Sequence, residues 1–308
     1  MAKVAIAVPT FRRPKGLERL LAALGGLETS ADVEIVVADN DAALHEGADT
    51  CRRFAGTYRW PLTAIVVSER SIAQARNALV EYVLAHSRAE FIAMLDDDEW
   101  PSPDWLEAFL RAQRQTGADA LRGTILREFE TVPGAWAAKL QGIAPVHARS
   151  GPIPMIDGAG NVLISRACFE GLSKPYFDPA FALTGGEDRD FFTRLRRQDW
   201  RFAWAADAVC TEFVPASRAN LGWALMRAYR IGNSDMRVFL KYTPAWTERL
   251  GEGAKIAGAI LLYPLWQLAL APIPQRRAEP LCKLYRAAGK IAAIFGRHYN
   301  EYAAVHGG

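Results

Sequence analysis

The chain has 308 residues, half of them hydrophobic, enough for one large domain or a domain with an appendage. Its formal charge of +3 is too small to imply a nucleic-acid partner. The four cysteines (Cys51, Cys168, Cys210 and Cys282) stand far apart with no C-x-x-C pair, which argues against structural zinc or a disulfide framework and suits a reducing compartment.

The opening residues MAKVAIAVPTFRRP hold a short apolar run ended by Pro9 and a pair of arginines. They predict no signal peptide and a chain that starts in the cytoplasm. Val4 to Val8 reads as a first strand, and GLERLLAALGGL places Leu17, Leu20, Leu21 and Leu24 on one helical face. Val33 to Asn40 is a second strand, LTAIVVSE a third, and SIAQARNALVEYVLAH the helix after it. EFIAML is a fourth strand, followed by the helix PDWLEAFLRAQRQTG with Pro103 and Asp104 at its start. The order β-α-β-β-α-β-α predicts an α/β sheet with parallel strands and a ligand beyond their carboxyl ends. Three strand ends are polar, PTFRR, ADND and DDDE, and should converge on one crevice.

The stretch FIAMLDDDEW sets Asp96, Asp97, Asp98 and Glu99 directly after a hydrophobic strand. Like charges so close raise one another's pKa, so a counter-charge is expected. A hard divalent cation prefers carboxylate oxygens and leaves positions for phosphate. The alternative is a set of acids favoured by a following helix dipole. Asp39 and Asn40 equally suit a turn at a strand end. A second acidic group, Glu187, Asp188 and Asp190, follows two glycines and opens a helix with Phe191, Phe192 and Leu195. Those acids suit either helix capping or a general base delivered by a glycine turn, and spacing leaves both open.

Taken in order, VPTFRR, VVADND, SIAQARNAL, FIAMLDDDEWPSPDW and GGEDRDFF resemble the family 2 glycosyltransferases of the GT-A fold, over about the first 215 residues. The likeness extends to bacterial exopolysaccharide transferases of the succinoglycan type, which also carry a basic segment and a hydrophobic tail. This resemblance implies a GT-A domain over 1–215 with a mainly parallel mixed sheet. It implies a basic acceptor-side segment over 216–253 and membrane-associating helices over 254–308. Pro9, Thr10 and Arg12 would line the nucleotide cleft, Asp39 would accept a hydrogen bond from uracil, and Arg76 would face the donor. Asp96 and Asp98 fit the D-x-D pattern, with Asp97 near the ribose and Asp98 holding Mn²⁺ or Mg²⁺ against the diphosphate. Asp188 matches the catalytic base, with Glu187 beside it. One base opposite the leaving group implies inversion, and so a β-linkage from an α-linked UDP-sugar.

In the last third, residues 256–273 carry no charge, at the lower edge of a membrane span, with Pro264 and Gln267 inside and Gln275, Arg276 and Arg277 beyond. Leu281, Leu284, Ala288, Ile291 and Phe295 then form one stripe, and Lys283, Arg286 and Lys290 the opposite one. This is the pattern of a basic helix in a bilayer surface, and an interfacial hairpin is preferred to a full span. A core helix pair is the alternative. The expected setting is the cytoplasmic side of the plasma (inner) membrane, with a polyprenyl-diphosphate-linked saccharide as acceptor. Arg218, Arg227 and Arg230 would meet the acceptor diphosphate or form a solvated basic face. Two rival classes are a nucleotidyltransferase, which should carry a Gly-rich basic loop where PTFRRPKG stands, and a non-catalytic membrane-bound scaffold.

Overall fold

A computed structural model describes residues 2–134, 149–182, 184–270, 272–273 and 276–299. Leu183, Ala271, Gln275 and the last residues of the predicted tail lie outside the described residues. Strands β1 (Lys3–Thr10), β2 (Asp32–Asp39), β3 (Leu62–Val66) and β4 (Phe91–Met94) run parallel in the order β3-β2-β1-β4. Beyond β4 the sheet becomes mixed. β8 (Val162–Ser165) pairs antiparallel with β4 and with β6 (Ala120–Phe129). β9 (Phe202–Val214) runs parallel to β6, and β5 (Glu99–Pro101) and β7 (Gly151–Ile153) each pair antiparallel with β9.

Strands covered on both faces read as continuous apolar runs, and here successive residues serve opposite cores. Val4, Ile6 and Val8 of β1 pack with α1 (Pro14–Gly25) and α4 (Trp105–Thr116), through Leu17, Leu20, Leu21, Leu24, Trp105 and Phe109. Ala5 and Ala7 face the other layer, with Leu79, Val80 and Val83 of α3 (Ile72–His86). That layer also holds Phe169 of α5 (Arg166–Glu170) and Phe191, Phe192 and Leu195 of α6 (Glu187–Arg197). Each fully buried leucine or phenylalanine contributes about 1.5–3 kcal/mol relative to exposure.

One helix was absent from the expected order. Between β2 and β3 the chain forms α2 (Glu46–Ala55), which buries only Gly47, Thr50 and Cys51. A helix with so narrow an apolar stripe leaves little periodicity to read.

The tail also departs from expectation. The chain after β9 forms α7 (Leu221–Lys241), α8 (Trp246–Ala269) and α9 (Ala278–Ile294). The boundary expected between 253 and 254 falls inside α8, which starts at Trp246 and runs unbroken through Pro264. The buried side of α9 is Ala287, Gly289 and Ala293 rather than the leucine stripe. Those small residues bring its backbone against α7: a Cβ on Gly289 would overlap the Tyr229 carbonyl, and one on Gly232 the Arg286 carbonyl. Buried Asn233 of α7 donates to the carbonyls of Gly289 (3.2 Å) and Arg297 (2.8 Å). Two cations of the expected lipid-facing stripe are paired within the molecule, Arg286 with Asp235 and Lys290 with Glu252. By contrast α8 buries no residue and leaves Leu261, Leu262, Leu265 and Leu268 exposed. Among the described residues no helix is long and apolar enough to cross a membrane.

The α7–α9 contact should therefore be part of the folded body. Gly289→Leu should cost about 1–3 kcal/mol or more by overpacking, seen as a lower melting temperature. Ala288→Leu, at the exposed neighbouring position, should leave the melting temperature unchanged. Equal melting of both variants would show α9 to be loosely attached.

Candidate active site

The carboxyl ends of β1 and β4 and the start of α6 enclose a cavity of about 390 Å³. Pro9 and Thr10 reach it from β1, Asp96, Asp97 and Asp98 from the segment after β4, and Glu187 and Asp188 from α6. Ser71 caps α3 by accepting from the Gln74 N–H (3.3 Å), and its own N–H donates to Asn40 Oδ1 (2.7 Å). That join fixes the first turns of α3 beside the end of β2, and with them Arg76. On the other side Gly185 and Gly186 take φ of 71° and 109°, a region open to glycine at little cost. Ser234 of α7 fills the space a Cβ on Gly186 would need, and its hydroxyl donates to the Gly185 carbonyl (2.9 Å).

The four consecutive acids have four different surroundings. Asp96 faces the cavity and accepts from Arg76 (3.0 Å). Asp97 is buried and accepts from the Thr10 hydroxyl (2.9 Å) and Arg13 (3.0 Å). Asp98 accepts from the same Arg13 guanidinium (2.8 Å), with Arg218 at 3.5 Å. Glu99 is buried outside the cavity lining and accepts from the Asp96 N–H (3.0 Å). Burial, joined by Asp97, pushes the Asp98 carboxyl up to about 7 even though Arg13 offsets part of the rise. Burial and then Asp96 push Glu99 well above the ordinary range.

From the start of α6, Glu187 accepts from Arg76 (2.8 Å) through one oxygen, while its second oxygen is buried with no hydrogen-bond partner among the described residues. Burial, then the neighbouring Asp188, push the Glu187 carboxyl up to about 7, with Arg76 opposing. Asp188 is more open. Asp190 points away from the cavity and is fully buried, accepting from Lys241 (2.7 Å) and the Tyr242 hydroxyl (2.7 Å).

Most of the expected site residues meet in this cavity, and two do not. Asp39 is fully buried, its oxygens taken by the N–H groups of Asp41 (3.1 Å) and Ala48 (2.9 Å), so it braces the turn into α2 beneath the cleft. Arg12 adopts a positive φ of 53° and pairs with Asp41 (2.6 Å), outside the lining. Arg13 takes the inward place instead. Burial lowers its pKa, but Asp97 and Asp98 outweigh that and raise it. Arg76 is 5% exposed, which excludes the solvated-helix reading. Arg218, Arg227 and Arg230 line the cavity rather than a solvated face.

No group of three or more His, Cys, Asp or Glu residues converges on one point among the described residues. A hard cation bound with a nucleotide needs only one or two carboxylates, because phosphates and waters complete its shell. Asp98 and Asp96, both in the cavity lining, fit that mode.

Residues 5–170 match the sequence model of Glycosyl transferase family 2. The chain belongs to this family. It is 32% identical over 97% of its length to the succinoglycan biosynthesis protein ExoM of Rhizobium meliloti strain 1021, covering 95% of that protein, and is a family 2 glycosyltransferase of the ExoM type. The fold is similar to that of the mannosyltransferase PcManGT from Pyrobaculum calidifontis, solved with GDP-Man and Mn²⁺ (TM-score 0.63, 19% identity, 96% of this chain and 88% of that one). It is also similar to S. aureus TarS 1-349, solved with UDP (TM-score 0.53, 12% identity, 99% and 95%). Family membership sets aside the nucleotidyltransferase reading.

The buried Glu187 gives this glycosyltransferase a pH-dependent stability. Its carboxyl has an ordinary value of 4.5 and ionises near 7 in the folded chain. Between those values the folded state holds a proton the unfolded state has lost, so stability falls as pH rises through the window. Glu187→Gln removes that titration. The melting temperature of the variant relative to wild type should climb from pH 4.5 to 7 and level off above. A constant difference across this range would mean that Glu187 ionises normally.

Proposed function

We propose that this chain is an inverting transferase that moves a sugar from a UDP-sugar to a lipid-linked saccharide in exopolysaccharide or cell-surface glycan synthesis. The observation that carries the reading is the meeting of two acid groups in one cavity, Asp96 to Asp98 from the segment after β4 and Glu187 with Asp188 from α6. The first group suits a leaving diphosphate and the second an attacking hydroxyl.

In this scheme Asp98 and Asp96 would hold Mn²⁺ or Mg²⁺, which would supply positive charge against the departing diphosphate. Pro9, Thr10 and Asp97 shape the floor beneath the nucleotide, with Thr10 and Arg13 fixing Asp97. Arg76 holds Asp96 and Glu187 in place and leaves Asp188 as the accessible carboxylate. The acceptor hydroxyl oxygen forms a bond to the anomeric carbon as the bond from that carbon to UDP breaks. UDP leaves with the electron pair, and the hydroxyl proton passes to Asp188. Proton removal by a positioned carboxylate is worth roughly 10²–10⁴ in rate. Displacement from the opposite side inverts the anomeric centre.

We place the protein on the cytoplasmic face of the plasma membrane, on the support of the exposed leucines of α8. Contiguous apolar surface of this kind marks an interaction site. Because Arg286 and Lys290 are paired internally, burial rather than charge is the main attraction in this reading.

Replacing Asp188 by Asn keeps the shape and removes the proton acceptor. Turnover should fall by ~10² or more with UDP affinity nearly unchanged. The Asp98→Asn variant should instead lose UDP affinity when Mn²⁺ is present and lose far less when it is chelated. Near wild-type turnover in the first variant, or metal-independent UDP binding in both proteins, would contradict the scheme.

The membrane assignment has its own measurement, flotation of the full chain with anionic lipid vesicles. Binding should survive high salt and weaken strongly when Leu261, Leu265 and Leu268 are all changed to Ser. A wild-type chain that stays at the bottom of the gradient would exclude it.

A further inference from the structure

A second cavity, of about 470 Å³, lies on the other side of the Glu187–Asp188 wall. Glu187, Asp188, Arg227 and Arg230 line both cavities, so the two meet at the proposed base. Trp204, Ile153, Met155 and Ile231 give the second cavity an apolar side.

Its charges are unevenly matched. Arg127 is paired with Glu212 (3.0 Å), Arg189 with Asp157 (2.6 Å), and Arg286 with Asp235 (2.5 Å). Arg122 and Arg227 have no carboxylate partner among the described residues, and the Nε of each is buried without a hydrogen bond. Arg122 donates only to the Gly158 carbonyl (3.3 Å), and Arg227 rests against the Trp223 ring at 5.1 Å. Burial, with Arg230 next, pulls the Arg227 pKa down to about 10, so its charge is held at a cost that a bound anion would relieve. Arginines present forked donors suited to phosphate oxygens.

We infer that the second cavity is an acceptor subsite that binds a diphosphate, gripped by Arg122 and Arg227, with the apolar side left for the hydrocarbon next to it. This rests on the glycosyltransferase reading above and assigns a place to the acceptor's charged group. The donor diphosphate takes the wall of Asp96 to Asp98, so the chain would hold two diphosphates on opposite sides of Asp188. Arg227, which borders both cavities, would sense both.

The test is calorimetric titration of the full chain, saturated with UDP and Mn²⁺, with geranyl diphosphate and separately with inorganic pyrophosphate. Geranyl diphosphate should bind the UDP-filled protein. Arg122→Gln, which lies outside the donor cavity, should weaken that binding about ten-fold or more while UDP affinity stays at the wild-type value. Arg227→Gln should weaken geranyl diphosphate binding as well. Tighter binding of geranyl diphosphate than of pyrophosphate would assign the site to a lipid diphosphate, and equal binding would assign it to a soluble one. If UDP binds but neither probe does, or if Arg122→Gln binds geranyl diphosphate as wild type does, the subsite is refuted and the transferase reading stands. If UDP itself fails to bind, the proposed function falls first.

Discussion

The guanidinium of Arg76 is the constraint on which the site depends. It bridges Asp96 after β4, whose side chain stays partly open to the cavity, and Glu187 at the start of α6, which burial pushes toward its neutral form. Breaking a buried pair by removing one partner leaves an uncompensated charge, which costs several kcal/mol. So the position of α6 relative to the sheet is fixed by charge as well as by the packing of Phe191 and Phe192. The bridge also explains why Glu187 and Asp188, neighbours in sequence, differ in character. One is spent on Arg76 and buried, and the other remains open to the cavity.

The same accounting resolves the run of four acids. Its charges are divided among partners of which only Arg13 is shared, so no two of the four have the same set of contacts. Asp97 goes to Thr10 and Arg13, Asp98 to Arg13 and Arg218, Asp96 to Arg76, and Glu99 to a backbone N–H. Arg218 belongs to the segment just before α7, so the part of the chain after β9 supplies one of these counter-charges. The loop through Gly160 closes against Asp96 and Glu99 so tightly that a Cβ there would meet Glu99 at 2.8 Å. A larger residue there would oblige the Glu99 carboxylate to move.

Much of this was legible in the residues. Continuous apolar runs marked β1, β2 and β4, and the leucine stripe marked α1, because both signals arise from burial in local structure. The polar strand ends converged as their topology requires. What stayed hidden depends on single torsions or on distant partners. Arg12 and Arg13 are adjacent and chemically alike, and only the positive φ at Arg12 decides which reaches the carboxylates. The engagement of Asp39 stayed hidden because a strand-end carboxylate gives no sign of whether its oxygens accept from backbone N–H groups. The antiparallel half of the sheet is assembled from short strands, three or four residues each in β5, β7 and β8, too short to show a period.

The packing of the tail was illegible for a related reason. Leucines draw the eye to one stripe of α9, but the closest packing in a helix pair is made by residues with the least side chain. Gly232 and Gly289 let the backbones of α7 and α9 meet, and Asn233 then ties the contact with hydrogen bonds that larger neighbours would have blocked. α7 in turn reaches the site at both ends of its length. Near its start Arg227 and Arg230 face the cavity, at its middle Ser234 seats the glycine turn before Glu187, and at its end Lys241 and the adjoining Tyr242 hold Asp190 of α6. A helix joined along one side to α6 and along another to α9 ties the tail to the carboxylates of α6. The tail is thus continuous with the acidic cavity through α7, while α8, which buries no residue, is joined to α9 through the pair of Glu252 and Lys290.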